Sequence, residues 1–134
     1  MTSTAWAKIE TVGSHDPLFV APDETLRLVA RKMWEQTVGA LLVGDLHHLV
    51  GIISERDLAT ALARGADPDG TTAAEAMSTD IVSLRPGDTL YDAAIDMLDV
   101  GIRHVPVIDD EGKVQAVVSL RDLLRPLLVK SLGG

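Results

Sequence analysis

Two stretches 65 residues apart follow one pattern: Gly51-Ile52-Ile53-Ser54-Glu55-Arg56-Asp57 and Ala116-Val117-Val118-Ser119-Leu120-Arg121-Asp122. Each reads as a buried strand that stops at its serine and turns directly into a helix. The S-x-x-D spacing is that of a capping box, in which a hydroxyl and a carboxylate satisfy the free N–H groups of a first helical turn. A chain that repeats such a junction is constrained to fold as two similar halves. The rest of the sequence agrees, because Pro22-Asp23-Glu24-Thr25-Leu26 is matched by Pro86-Gly87-Asp88-Thr89-Leu90 at an offset of 64. One residue inserted in the second hairpin moves the offset to 65. Each half is too small to bury its apolar face alone. The expected fold is therefore mixed α/β (α+β): two β-α-β-β-α repeats packed around a pseudo-two-fold axis.

Hydrophobic periodicity fills in the elements. Leu18-Phe19-Val20 and Ile81-Val82-Ser83-Leu84 are read as the first strand of each half. Helices follow, with Asp23 and Asp88 as expected N-caps. Their apolar stripes are Leu26, Val29, Ala30, Met33 and Trp34 in one half, and Leu90, Ala93, Ala94, Met97 and Leu98 in the other. Gly39 is expected to end the first of these helices. Ala40–Val43 with Leu49–Ile53, and Val105–Ile108 with Val114–Ser119, form hairpins. Leu58–Ala63 and Arg121–Val129 are the closing helices, the second interrupted by Pro126. The boundaries expected are a lead-in segment at 1–13, a first repeat at 14–66, a linker at 67–72 and a second repeat at 73–130.

The composition excludes several functions. A formal charge of −8 argues against a nucleic-acid partner, since phosphate backbones need clustered Lys and Arg. There is no cysteine, which removes disulfide and thiolate chemistry. The N-terminus lacks the basic and apolar regions of a signal peptide, and no apolar run reaches a membrane span. A cytoplasmic protein without a membrane partner is expected. His47-His48 falls in a turn, with side chains that would point apart, so no metal is expected there. Glu24, Asp88 and Asp92 read as acidic residues at helix starts rather than a catalytic pair. No P-loop, nucleophile elbow or zinc pattern is present. Neither a catalytic residue nor a required cofactor is expected.

With the doubled strand-to-helix motif, the string Arg103-His104-Val105-Pro106-Val107-Ile108-Asp109 and the prolines at 22 and 86, the sequence resembles the tandem CBS domain pair, or Bateman module. That resemblance implies a non-catalytic, stand-alone sensor of adenosine-containing ligands such as AMP, ADP, ATP or S-adenosylmethionine. It also implies a homodimer and a regulated protein partner. The alternative is a ligand-free interaction or scaffold module acting through dimerisation.

The resemblance further implies two clefts. The preferred one groups Ser54, Arg56 and Asp57 with Thr79, Ile81, Val82, Arg103 and His104. The weaker one groups Ser119, Arg121 and Asp122 with His15, Leu18, Val38, Gly39 and Ala40. The chemistry is coherent: a carboxylate can accept from both ribose hydroxyls, and a helix N-terminus with a guanidinium suits phosphate. Gly39-Ala40 stands where the other half has Arg103-His104, and Ala116 replaces the glycine at Gly51. Both differences favour the Asp57 cleft.

Overall fold

A computed structural model of the chain describes residues 8, 9, 16–100 and 103–132. Five strands and five helices follow in the order β1 (Phe19–Val20), α1 (Leu26–Gln36), β2 (Ala40–Asp45), β3 (His48–Ser54), α2 (Glu55–Ala63), α3 (Ala73–Ala76), α4 (Leu90–Val100), β4 (His104–Ile108), β5 (Val114–Ser119) and α5 (Leu120–Leu132). Residues 17–81 form one compact unit, and residues 82–134 form the other together with the segment before residue 17.

In the first unit β2 is central, parallel to β1 and antiparallel to β3. Its core comprises Val20, Leu26, Val29, Met33, Leu41, Val43, Ile53 and Ala73. In the second unit β4 and β5 make an antiparallel pair over a core of Ile9, Leu84, Leu90, Ala93, Met97, Val105, Val107, Val118 and Leu123. Aliphatic residues with few aromatics supply both cores, as an α/β packing of short strands under helices requires.

The expected strand at Ile81–Leu84 does not form; it is reduced to a single parallel bridge between Leu84 and Val107. The cause is one residue. In the first unit the Leu42 amide donates to the Leu18 carbonyl at 2.9 Å, which ties β1 to β2. The residue equivalent to Leu42 is Pro106, which has no N–H to donate to Val82. What survives is the pair of bonds around Leu84, whose amide donates to Pro106 O at 2.9 Å while the Ile108 amide donates to Leu84 O at 2.8 Å.

The caps also differ from expectation. Thr25 caps α1, its hydroxyl accepting from the Leu28 amide at 3.4 Å. Thr89 and Asp92 bond reciprocally at the start of α4, each contact 3.1 Å. The acidic residues just upstream close the preceding turn instead: Glu24 accepts from the Ala21 amide and Asp88 from the Arg85 amide. At its other end α1 stops at Thr37, in the left-handed conformation (φ 55°), two residues before Gly39. α5 continues through Pro126. Trp34 and Leu98, members of the apolar stripes, are 85% and 73% exposed.

The short lead-in before each repeat packs in the unit built by the other repeat. Ala73, at the start of α3, is buried in the first unit and its amide donates to Glu24 O at 2.8 Å. Ile9, the residue 64 positions earlier, is buried in the second unit and its amide donates to Asp88 O at 2.8 Å. The flanking bridges, Thr25 with Thr72 and Lys8 with Thr89, obey the same offset. A unit drawn by packing thus differs from a repeat drawn by sequence.

Candidate functional site

β3 delivers Ser54 to the start of α2 with extended backbone (φ −109°, ψ 168°). A residue in that conformation leaves its side chain free to turn back onto the first helical turn. The Ser54 hydroxyl accepts from the Asp57 amide at 3.2 Å. Asp57 Oδ2 in return accepts from the Ser54 amide at 2.8 Å and from the Ser54 hydroxyl at 3.0 Å. Both bonds to the carboxylate use Oδ2. The half-buried carboxylate therefore presents Oδ1, which has no partner among the described residues. Arg56, one residue before it, is exposed.

The second junction is built alike. The Ser119 amide donates to Asp122 Oδ2 at 2.9 Å, and the Asp122 amide donates to the Ser119 hydroxyl at 3.1 Å. Ser119 is buried, Asp122 half-buried and Arg121 exposed. The capping boxes expected from the S-x-x-D spacing are thus present in both copies.

Strand register decides what stands beside each junction. Ala40 is paired with Ser54, and the Glu55 amide donates to Gly39 O at 3.0 Å. His104 is paired with Ser119, and the Leu120 amide donates to Arg103 O at 2.7 Å. The groupings implied by the resemblance, Arg103 and His104 with Asp57, and Gly39 and Ala40 with Asp122, each draw on residues of both units. In the structure each pair borders the junction of its own half. The physical reason is the hairpin itself, in which the first residues of one strand lie opposite the last residues of its partner.

Of the remaining candidates, Thr79 and Ile81 share the first unit with Ser54 and Asp57. Ser78 is bridged to Ile52, with both amides exchanged at 2.9 and 3.0 Å, so this segment runs along β3. Thr79 is exposed and its carbonyl accepts from the Ile81 amide. Leu18 and Val38 are half-buried against the core of the same unit, where Gly39 and Ala40 also lie. Val82 belongs to the second unit with Arg103, His104, Ser119, Arg121 and Asp122. His15 lies outside the described residues.

Met77, which follows α3 directly, adjoins the first junction. A β-carbon on Gly51 would lie 2.3 Å from Met77 Sδ and 3.0 Å from Ser78 O. The glycine lets the segment from Met77 lie on β3. The contrast between Gly51 and Ala116 was the signal that something occupies that space. Among the described residues no cluster of three His, Cys, Asp or Glu side chains could hold a metal ion. No helix among them is long and apolar enough to cross a membrane.

Comparison with known proteins gives a consistent picture. The family model described as the CBS domain matches residues 9–64 and again 73–129. An uncharacterised protein of Methanopyrus kandleri is 33% identical over 125 residues, which are 90% of this chain and 64% of that protein. The chain thus spans about two thirds of that relative. The CBS domain-containing protein YhcV of Bacillus subtilis is 36% identical over 105 residues, covering 78% of this chain and 74% of YhcV. Among solved structures, the CBS domain pair of protein MJ0100, in complex with 5′-methylthioadenosine and S-adenosyl-L-methionine, has a TM-score of 0.83 at 26% identity. The match covers 92% of this chain and 98% of that one.

Proposed function

The chain belongs to the CBS-domain family, as a pair of tandem repeats, and on that premise we propose that it is a non-catalytic cytoplasmic regulator that binds adenosine-containing ligands. Binding biases the conformation of the pair or its affinity for a protein partner. One observation carries this reading. At the first strand–helix junction a half-buried carboxylate uses one oxygen for capping and presents the other, at the positive end of the α2 helix dipole. A ribose diol needs such an acceptor and a phosphate or carboxylate needs such a terminus. The related MJ0100 pair holds two adenosine compounds, which supports the same ligand class here.

Asp57 and Asp122 are the proposed ribose acceptors, with Ser54, Arg56, Ser119 and Arg121 at the helix starts. Thr79, Ile81 and Leu18 and Val82 supply backbone and apolar surface to the nucleoside. The hairpin register leads us to assign Arg103 and His104 to the anionic group of a ligand held at the Ser119–Asp122 junction. Gly39 and Ala40, at the other junction, offer no cation. The Asp57 site then suits a nucleoside of low charge, and the Asp122 site a phosphorylated one.

Calorimetric titration with 5′-methylthioadenosine, S-adenosylmethionine, AMP, ADP and ATP tests the proposal. Saturable binding is expected, weakened by about 1.5–3 kcal/mol in Asp57→Ala or Asp122→Ala, according to the site a ligand fills. Arg103→Ala should weaken phosphorylated ligands more than 5′-methylthioadenosine. No saturable heat with any of the five, in protein freed of copurified ligand, would leave the scaffold reading in its place.

A further inference from the structure

Of the described methionines, Met33 and Met97 are 5% and 2% exposed, whereas Met77 is half-buried just past α3. Its side chain packs against the core of the first unit and lies over Gly51 of β3, leaving no room for a β-carbon on that glycine. The next residue pins the segment to the strand edge. The Ser78 amide donates to Ile52 O at 2.9 Å, and the Ile52 amide donates to Ser78 O at 3.0 Å. Two amide bonds and one thioether thus close this edge of β3, just before the strand reaches Ser54.

Methionine suits the place as an unbranched, polarizable filler. The same sulfur reacts with hydroperoxides, and in a folded chain exposure decides which methionine does so first. The chain has no cysteine, so no thiolate competes for the oxidant. Among the described residues Met77 is the thioether within reach.

We propose that Met77 is an oxidation site, at which a hydroperoxide converts the thioether to a sulfoxide and loosens the segment from β3. A sulfur lone pair attacks one peroxide oxygen and the O–O bond breaks. The other oxygen takes up the proton of the first and leaves as water or an alcohol. The sulfur loses two electrons and the peroxide gains them. The product is polar and chiral, unsuited to apolar contact over Gly51. The Ile52–Ser78 bonds then lose the packing that shields them. The other half has Gly13 and Ala116 at the corresponding places, so the modification acts on one half alone. Because β3 ends in the Ser54–Asp57 junction, oxidation also weakens the ligand site there, a consequence that rests on the function proposed above.

Brief treatment of the whole chain with hydrogen peroxide, followed by peptide mass mapping, tests the site. A gain of one oxygen is expected at Met77 before Met33 or Met97. In the oxidised chain the Ile52 and Ser78 amides should exchange with solvent at least about tenfold faster, with β4 and β5 unchanged. Methionine sulfoxide reductases should reverse the change. Met77→Leu, which keeps the apolar bulk, should show no response of these amides to peroxide. Oxidation of Met33 or Met97 as rapid as that of Met77 overturns the proposal. So does unchanged protection at Ile52 and Ser78 once Met77 is oxidised, or an equal response in Met77→Leu. None of these readouts involves a nucleotide, so their failure is separable from failure of the ligand proposal.

Discussion

A single β-carbon separates the two junctions. Gly51 lies under the side chain of Met77, and a methyl group there would come within 2.3 Å of its sulfur. In the sequence the counterparts at the repeat offset are Ala116 and Gly13, so glycine and side chain have exchanged places between the halves. Gly51→Ala should therefore cost about 1–3 kcal/mol, the usual scale of overpacking. Denaturant unfolding of both single variants and the double variant checks this. Gly51→Ala should be milder in a Met77→Ala background, with a coupling of at least about 0.5 kcal/mol. Strict additivity would mean that the glycine answers to the Ser78 backbone instead. The sequence displayed the difference between Gly51 and Ala116 openly. It could not show that Met77 is the neighbour concerned, because that contact follows from the path of the chain after α3.

At the scale of elements, each hairpin turn is organised by one aspartate, and the two are equivalent at the repeat offset. Asp45 accepts from the His47 and His48 amides at 2.8 and 3.0 Å. Asp109 accepts from the Glu111 and Lys113 amides, both at 2.9 Å, and from the Gln115 side chain. These donors, led by the amide of His47 in one turn and of Lys113 in the other, hold both carboxyls below the ordinary 3.8. A carboxyl whose folded pKa is lowered contributes stability that is complete above its unfolded pKa and lost as pH falls through the folded one. The gap in thermal midpoint between the natural chain and Asp45→Ala should accordingly be constant above about pH 5 and shrink below about pH 4. A gap unchanged at pH 2 would show that the charge of Asp45 is irrelevant to the turn. The repeat offset made most elements legible, because hairpins, helices and the S-x-x-D caps are local patterns. The strand at Ile81–Leu84 was not legible as lost. Its own residues are good strand formers, and the missing donor is Pro106, more than twenty positions away.

At the scale of the molecule, repeats and packing units do not coincide. Ile9 is 2% exposed in a core otherwise made by residues after 82, and Ala73 is fully buried in the core of residues 17–81. Ile9→Ala should cost about 2–5 kcal/mol, and its effect should be local to the second unit. Native-state hydrogen exchange would show this as lost protection in β4 and β5 with β2 and β3 unchanged. Equal loss in both sheets would mean that the two units open as one. The same connectivity sets an order of completion during synthesis. The unit of residues 17–81 has all its parts as soon as Ile81 has emerged, while Ile9, made before any of them, must wait for β4 and β5. At about 5–20 residues per second, that delay is on the order of 5–20 seconds. Throughout it, an isoleucine destined for a core remains without one, so the first core residue described is among the last to find shelter.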